Sequence, residues 1–161
     1  MVPIISDAGP IISFARAERL SILIRVVFEV LIPEGVYNEI VVRGKGKPGS
    51  EEVAAGKWTK VVLIQNRAKV KQLPDKLGAG EKEAIVLVQE MKGILLMDDP
   101  SARTEAKKLG ILLTSSLNII EEAKAIGLIK SSKTLLDELI AAGFRLSPKL
   151  YQNFLHKIGE L

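Results

Sequence analysis

Strands that alternate with helices, several strands that are apolar at every residue, and a closing run of amphipathic helices predict an α/β fold. Its centre is a mostly parallel sheet flanked by helices, and it carries a helical C-terminal extension. The chain has 161 residues, 47% of them apolar. That suits one domain over residues 1–161, with an α/β core over about 1–115 and the extension over about 116–161. No internal repeat and no dividing linker interrupts it.

Val2–Ser6 is a short apolar run that ends at Asp7 and reads as a buried strand feeding a loop. Gly9 and Pro10 punctuate that loop, and Ile11–Arg19 carries apolar residues at helical spacing. Arg25–Ile32, RVVFEVLI, is rich in β-branched residues and reads as a second strand closed by Pro33. Pro33-Glu34-Gly35 opens a helix with Val36, Tyr37, Ile40 and Val41 on its apolar face and Glu39 about a turn inside. Arg43–Pro48 is a loop with three cations. A helix resumes at Ser50, and Val61–Ile64 is a third strand. Arg67–Leu73 reads as another strand or an exposed linker. Leu77–Gly80 is a turn, and Glu81–Met91 is a helix stopped by Gly93. Ile94–Met97 is a buried strand that terminates in Asp98-Asp99. Ser101–Leu109 is helical, Gly110 stops it, and Ile111–Leu113 is the last strand. The remainder reads as three helices, Ser116–Ile126, Ser132–Ala142 and Ser147–Ile158, the last with a serine N-cap followed by proline.

Composition narrows the chemistry. There is no cysteine, which excludes disulfides, thiolate metal sites and a thiol nucleophile. A single histidine, His156, excludes two-histidine zinc motifs and reads as a partly exposed structural residue. Trp58 reads as core or interface rather than a stacking platform, since aromatic residues make up only 4% of the chain. A net charge of +4 leans mildly toward a polyanionic partner. No apolar run reaches the roughly 18–20 residues of a membrane span. The opening MVPIISDAGP has no basic region and meets Asp7, so no secretory signal is expected and a cytoplasmic location is. Phosphate-loop and dinucleotide fingerprints are missing as well.

Carboxylates remain. In open α/β sheets ligands bind beyond the carboxyl ends of strands. Asp7 follows the first strand there, and Asp98 and Asp99 follow the strand Ile94–Met97. An Asp in that position also suits a helix N-cap or a turn. Glu39 and Glu81, each in the first turns of a helix, would complete a cluster, or else complement helix dipoles. Like charges gathered at one edge need a cation, and an all-oxygen site favours Mg²⁺ or Mn²⁺. Glu83, two residues from Glu81, is expected to be solvated, as are Glu51, Glu52, Asp75, Glu121, Glu122, Asp137 and Glu138.

These residues resemble the PIN-domain family, the fold of VapC-type ribonuclease toxins, and more closely the stand-alone prokaryotic PIN-like proteins described as nucleic acid-binding. The matching stretches are IISDAGPIISFARAERL, IPEGVYNEI, LGAGEKEAIVLVQE, ILLMDDPSARTEAKKLGI and the tail from AKAIGLIK to the end, nearly the whole chain in order. The resemblance implies a three-layer fold and an acidic pocket for one or two divalent metals. The family's acids fall on Asp7, Glu39, Glu81 and the Asp98-Asp99 pair. Met97 and Ala8 stand where relatives often carry hydroxyl residues.

The function expected from this is a divalent-metal-dependent endoribonuclease, as in the toxin half of a toxin–antitoxin pair. Asp7, Glu81 and Asp98 or Asp99 would hold Mg²⁺ or Mn²⁺, with Glu39 steering water. Arg43, Lys45 and Lys47, together with Arg103 and Lys107, would hold the phosphates of single-stranded RNA, unless they are ordinary solubilising surface. An antitoxin protein and a second copy of the chain are the expected protein partners, and no membrane is. The runner-up is a catalytically weak or inactive PIN-fold module that binds RNA or protein.

Overall fold

Five three-residue strands build one all-parallel sheet in this computed structural model, which describes residues 2–161. They are β1 (Ile4–Ser6), β2 (Val30–Ile32), β3 (Thr59–Val61), β4 (Ile94–Leu96) and β5 (Leu112–Thr114), in the spatial order β3-β2-β1-β4-β5. Ile5 pairs with Leu31 on one side and Leu95 on the other, and Leu95 pairs onward with Leu113. The chain builds outward from β1 to β3, then returns to β4 on the opposite side of β1. The strand order therefore reverses between β1 and β4, and the connections leaving their carboxyl ends diverge and open a crevice there.

The helices are α1 (Ala8–Arg16), α2 (Leu20–Val27), α3 (Glu34–Tyr37) running into a π-helical turn (Asn38–Val42), α4 (Ser50–Ala54) and α5 (Arg67–Gln72). They continue as α6 (Ala79–Met91), α7 (Pro100–Lys108), α8 (Ser116–Ala125), α9 (Ser132–Ala141) and α10 (Pro148–Lys157). Side chains alternate across a strand, and β4 shows the consequence. Leu95 and Met97 enter one core with Ile5 and with Ala84, Ile85, Leu87, Val88, Ala102 and Ala106 of α6 and α7. Leu96 faces the other core, where Ile11 and Phe14 of α1, Leu23 of α2, Ile120 of α8, Leu136 and Leu139 of α9 and Leu155 of α10 meet. The C-terminal helices thus share a core with α1 and α2. Both faces of the sheet are covered, which explains the uninterrupted apolar runs of its strands.

Several expectations need correction. Arg25–Ile32 is not one strand. Leu20, Leu23 and Val27 form the buried face of α2, which extends to Val27. Phe28 then ends the helix at φ 64° with its side chain 77% exposed, leaving only Val30–Ile32 for pairing. The third strand lies two residues earlier than Val61–Ile64, because Val30 and Ile32 pair with Thr59 and Val61. Arg67–Leu73 is neither strand nor linker but the helix α5, which buries no residue. The first helix starts at Ala8 rather than Ile11, with Pro10 in its first turn. Glu83 is not solvated. It is buried, accepts the Gly35 N–H at 3.1 Å, and lies 3.4 Å from Arg67 Nη1. Asp137, Glu138 and Glu121 are half-buried and paired with Lys133, Arg19 and Lys157 respectively. Trp58 lies in the core and His156 is exposed, as expected.

Glu160 fastens the C-terminal helices. Its Oε2 accepts Lys124 Nζ at 2.7 Å and the Ser132 N–H at 3.0 Å. Its Oε1 accepts Ser131 Oγ at 3.0 Å and the Lys133 N–H at 3.1 Å. Two of the four N–H groups left open at the start of α9 are met by this one carboxylate, at the positive end of the helix dipole. Burial opposes the charge. Lys124, the Lys133 and Ser132 N–H groups and the Ser131 hydroxyl outweigh it, and the carboxyl is held down at about 2. A lowered folded value stabilises above the unfolded value and is lost as pH falls through the folded one. Glu160→Gln should therefore cost about 2 kcal/mol at pH 7 and less at pH 2–3. Urea unfolding at the two pH values checks this. Equal losses at both would contradict the charge-based account.

Candidate active site at the β1–β4 crevice

The backbone fixes Asp7 first. Its N–H donates to Leu96 O at 3.0 Å, which locks the end of β1 against the end of β4, and Ser6 Oγ donates to its carbonyl at 2.8 Å. Asp7 occupies the N-cap position of α1, yet its side chain makes no cap hydrogen bond. The carboxylate is left in the crevice with the residue only 8% exposed. Burial pushes its pKa up to about 7. The Ala8 N–H opposes that rise, and the charges of Glu81, Glu39 and Asp98 add to it.

Glu81 arrives from α6. Its Oε1 accepts the Gly78 N–H at 2.9 Å. Because a glycine is the N-cap, only the glutamate half of a capping box is made. Partial burial raises its pKa, the Gly78 N–H lowers it, and the charges of Asp99 and Glu39 raise it further. Asp98 and Asp99 leave β4 in different directions. Asp98 turns toward the start of α8, where it accepts the Ser116 N–H at 2.7 Å and the Ser116 hydroxyl at 2.5 Å. Burial raises its pKa, against those two bonds and the nearby Arg103. Asp99 caps α7, accepting the Ala102 N–H at 2.9 Å.

Glu39 comes from the π-helical turn that continues α3. Such a turn inserts an extra residue into a helix and re-aims its side chains, and it recurs at functional sites. Gly44 closes the turn, since a Cβ there would collide with the backbone carbonyls of Ile40 and Glu39. The exposed Glu39 is close enough to raise the pKa of both Asp7 and Glu81.

All five acids expected from the sequence therefore belong to one electrostatically coupled neighbourhood. Glu81, Asp98 and Asp99 are each turned onto an N–H or hydroxyl donor. Accordingly, among the described residues no three acidic or histidine side chains stand close enough to form a ready ligand set. The donor chemistry still suits a hard divalent cation: every donor is a carboxylate oxygen, and the innermost one makes no ion pair. Such an anion must hold either a proton or a cation.

The expected cations divide. Arg43 and Lys47 line a cavity together with Glu39, and Lys45, on the same loop, is not part of its wall. Arg103 is half-buried, with Nη1 donating to Met97 O at 2.8 Å and Thr114 O at 3.0 Å, so that it bridges the ends of β4 and β5. Lys107 is exposed on α7. Met97 and Ala8 both point into the cores rather than the crevice. Two residues escaped the sequence reading. Ser116 reads in the sequence only as the first residue of a helix, and nothing there points to its hold on Asp98. Arg16, which lines the same cavity as Arg43, looked like an ordinary cation at a helix C-terminus.

The sequence model of the PIN domain family matches residues 3–160. No curated protein matches the chain.

A stability measurement tests the state of Asp7. Its folded value of about 7 lies well above the ordinary aspartate value of 3.8. The stability linked to its proton is therefore complete below the unfolded value and lost as pH rises through the folded one. With chelator present, the urea midpoint of the wild type should fall between pH 5 and 8. Asp7→Asn, neutral throughout, should flatten this slope and be more stable at pH 8 by about 1–3 kcal/mol. A wild type flat over that range, with no gain in the variant, would contradict the assignment.

Proposed function

The chain belongs to the PIN-domain family, and from that premise we propose that it is a divalent-metal-dependent endoribonuclease working at the β1–β4 crevice. PIN domains are generally nucleases and typically use divalent metals. The observation that carries the proposal is the buried Asp7 carboxylate, pushed up to about 7 by burial and by three neighbouring acids at the reversal point of the sheet. A scatter of ordinary helix caps would not impose that cost on one residue.

Asp7, Glu81 and Asp98 or Asp99 are the side chains that would hold Mg²⁺ or Mn²⁺. When bound, the cation supplies Lewis-acid polarisation of the phosphodiester and a lowered pKa for water. The remaining roles fall to the chain itself. Asp7 is fixed by the strand ends, so it presents an oxygen at an invariant place. Ser116 aims Asp98 and stabilises its ionised form. Glu39, on the exposed rim, orients the attacking water and takes its proton. Attack of the water oxygen on phosphorus breaks the bond to the 3′-oxygen, which takes a proton from solvent water, leaving a 5′-phosphate and a 3′-hydroxyl. Arg103 keeps the ends of β4 and β5 together and so acts as a positioning residue.

The engagement of Glu81, Asp98 and Asp99 by cap and hydroxyl donors favours one alternative, an RNA-binding module that does not cut. Divalent metal separates the two. With Mn²⁺ or Mg²⁺ the protein should cleave single-stranded RNA to 5′-phosphorylated products and stop on addition of EDTA. Asp7→Asn should lose about 100-fold or more in rate. Ser116→Ala should lose about 1–2 kcal/mol of stability and move the acidic limb of its rate–pH profile upward, because Asp98 becomes harder to ionise. RNA retained without cleavage at any divalent concentration would establish the binding module instead. Wild-type rates in Asp7→Asn, Glu81→Gln and Asp99→Asn alike would overturn the assigned site.

A further inference from the structure

A concavity that shares Glu39 with the acid cluster has three cations among its lining residues. It lies between the C-terminal end of α1 and the π-helical turn, has a volume of about 380 Å³, and is walled by Arg16, Arg43 and Lys47 with Ile12, Ile40 and Glu39. Glu39 lines this cavity, and its charge also acts on Asp7 and Glu81, so the cavity and the acid cluster share a residue. We propose that this cavity is a phosphate subsite, which takes a backbone phosphate of the single-stranded RNA flanking the one that is cut. The proposal rests on the nuclease reading above for the identity of the polyanion.

Three observations bear on a ligand site here. The first is that its cations are open to an anion. Nine of the 23 lysines and arginines form ion pairs, and among the described residues Arg16, Arg43 and Lys47 belong to the majority that form none. Their only acidic neighbour in the wall is Glu39, which the other acids already repel. An incoming anion therefore breaks no existing pair.

The second observation is preorganisation. The loop that carries Arg43 and Lys47 is pinned at both ends. Lys47 N–H donates to Gly44 O at 2.9 Å, and Ser50 Oγ donates to Lys47 O at 2.9 Å. Gly49, at φ +93°, packs so closely on α1 that an added Cβ would lie 3.3 Å from Ala15 Cβ. Arg16 rests against the turn after α9, its Nη1 3.5 Å from where a Cβ on Gly143 would stand. Three cations are thus presented from two separate stretches of chain on an anchored frame, which reduces the ordering cost of binding.

The third observation is placement. A polyanion approaching four or five carboxylates is repelled unless positive charge stands within about one Debye length, about 8 Å at physiological salt. Glu39, which lines the cavity beside Arg16, Arg43 and Lys47 and acts on Asp7 and Glu81, links the cations to the acid cluster. Two guanidinium groups suit bidentate contact with phosphate oxygens, while Ile12, Ile40 and Pro48 give an apolar wall for the attached sugar.

Binding measured without metal tests this separately from cleavage. The full chain in EDTA would be titrated with a short fluorescent single-stranded RNA over a range of salt. The variants are the triple Arg16→Gln/Arg43→Gln/Lys47→Gln and a charge-matched triple, Lys60→Gln/Lys133→Gln/Lys157→Gln. The subsite triple should bind about tenfold more weakly, with the slope of log affinity against log salt reduced by about 0.7, the loss of one phosphate contact. The matched triple should keep the wild-type slope. Replacing one linkage of the RNA by an uncharged methylphosphonate should weaken the wild type at one register and leave the subsite triple indifferent there. In Mn²⁺ the subsite triple should raise KM about tenfold with kcat little changed. Equal affinities and slopes for wild type and subsite triple, or an equal loss in the matched triple, would overturn the subsite. Cleavage with unchanged KM in the subsite triple would overturn it while leaving the nuclease reading intact. Metal-free binding lost in the subsite triple, from a protein that never cleaves, would do the reverse.

Discussion

The hydrogen bond from Asp7 N–H to Leu96 O joins two strand ends at the place where the strand order of the sheet reverses. That bond decides where the first carboxylate sits, and the other acids are arranged about it. β1 and β4 are buried on both faces, so neither can shift without disturbing two cores at once. A charged group fixed at such a junction cannot swing into water to relieve its desolvation. The fold holds Asp7 where its ionisation is costly, and that cost becomes available to whatever positive charge enters the crevice.

The surrounding acids are restrained in a graded manner. Glu81 and Asp99 are tied to helix starts by one N–H each, while Asp98 receives both an N–H and a hydroxyl from Ser116. These bonds stabilise the helices that bring the acids in, and they lower the repulsion among the carboxylates when no cation is present. Glu39 is the least restrained, exposed on a π-helical turn that has left regular helical geometry. It lines the basic cavity, and its charge also acts on Asp7 and Glu81, so acids and cations meet at this residue. A substrate whose negative charges are spaced along a chain matches such a surface better than a single small anion would.

Much of this was legible in the chain. Ile94–Met97 followed by two aspartates announces a buried strand ending in acids, and the strand is there. The serine N-cap expected at Ser147 accepts the Leu150 N–H, and the preceding two helices are capped in the same way by Ser115 and Ser131. What escaped depends on contacts between distant residues. The β-branched run after Arg25 suggests a strand, but Leu20, Leu23 and Val27 find a shared burial face only once α8 is in place beside them. Glu83 looks like a second solvated glutamate beside Glu81. Its burial follows from the start of α3 lying across α6, 48 residues away in sequence, and offering the Gly35 N–H. Ser116 and Arg16 carry no local pattern that distinguishes them from ordinary cap and surface residues, and their roles come from the turns and strand ends they reach.

The central claim is that Asp7 carries a proton near neutrality until a divalent cation replaces it. Carboxyl carbon NMR of the selectively labelled protein reads this directly, first in chelator and then with excess Mg²⁺, which leaves the resonance undisturbed by paramagnetism. The account predicts that the Asp7 signal titrates at about 7 in chelator and at markedly lower pH with Mg²⁺. An Asp7 signal that titrates near the ordinary aspartate value of 3.8, and is unmoved by Mg²⁺, would contradict it.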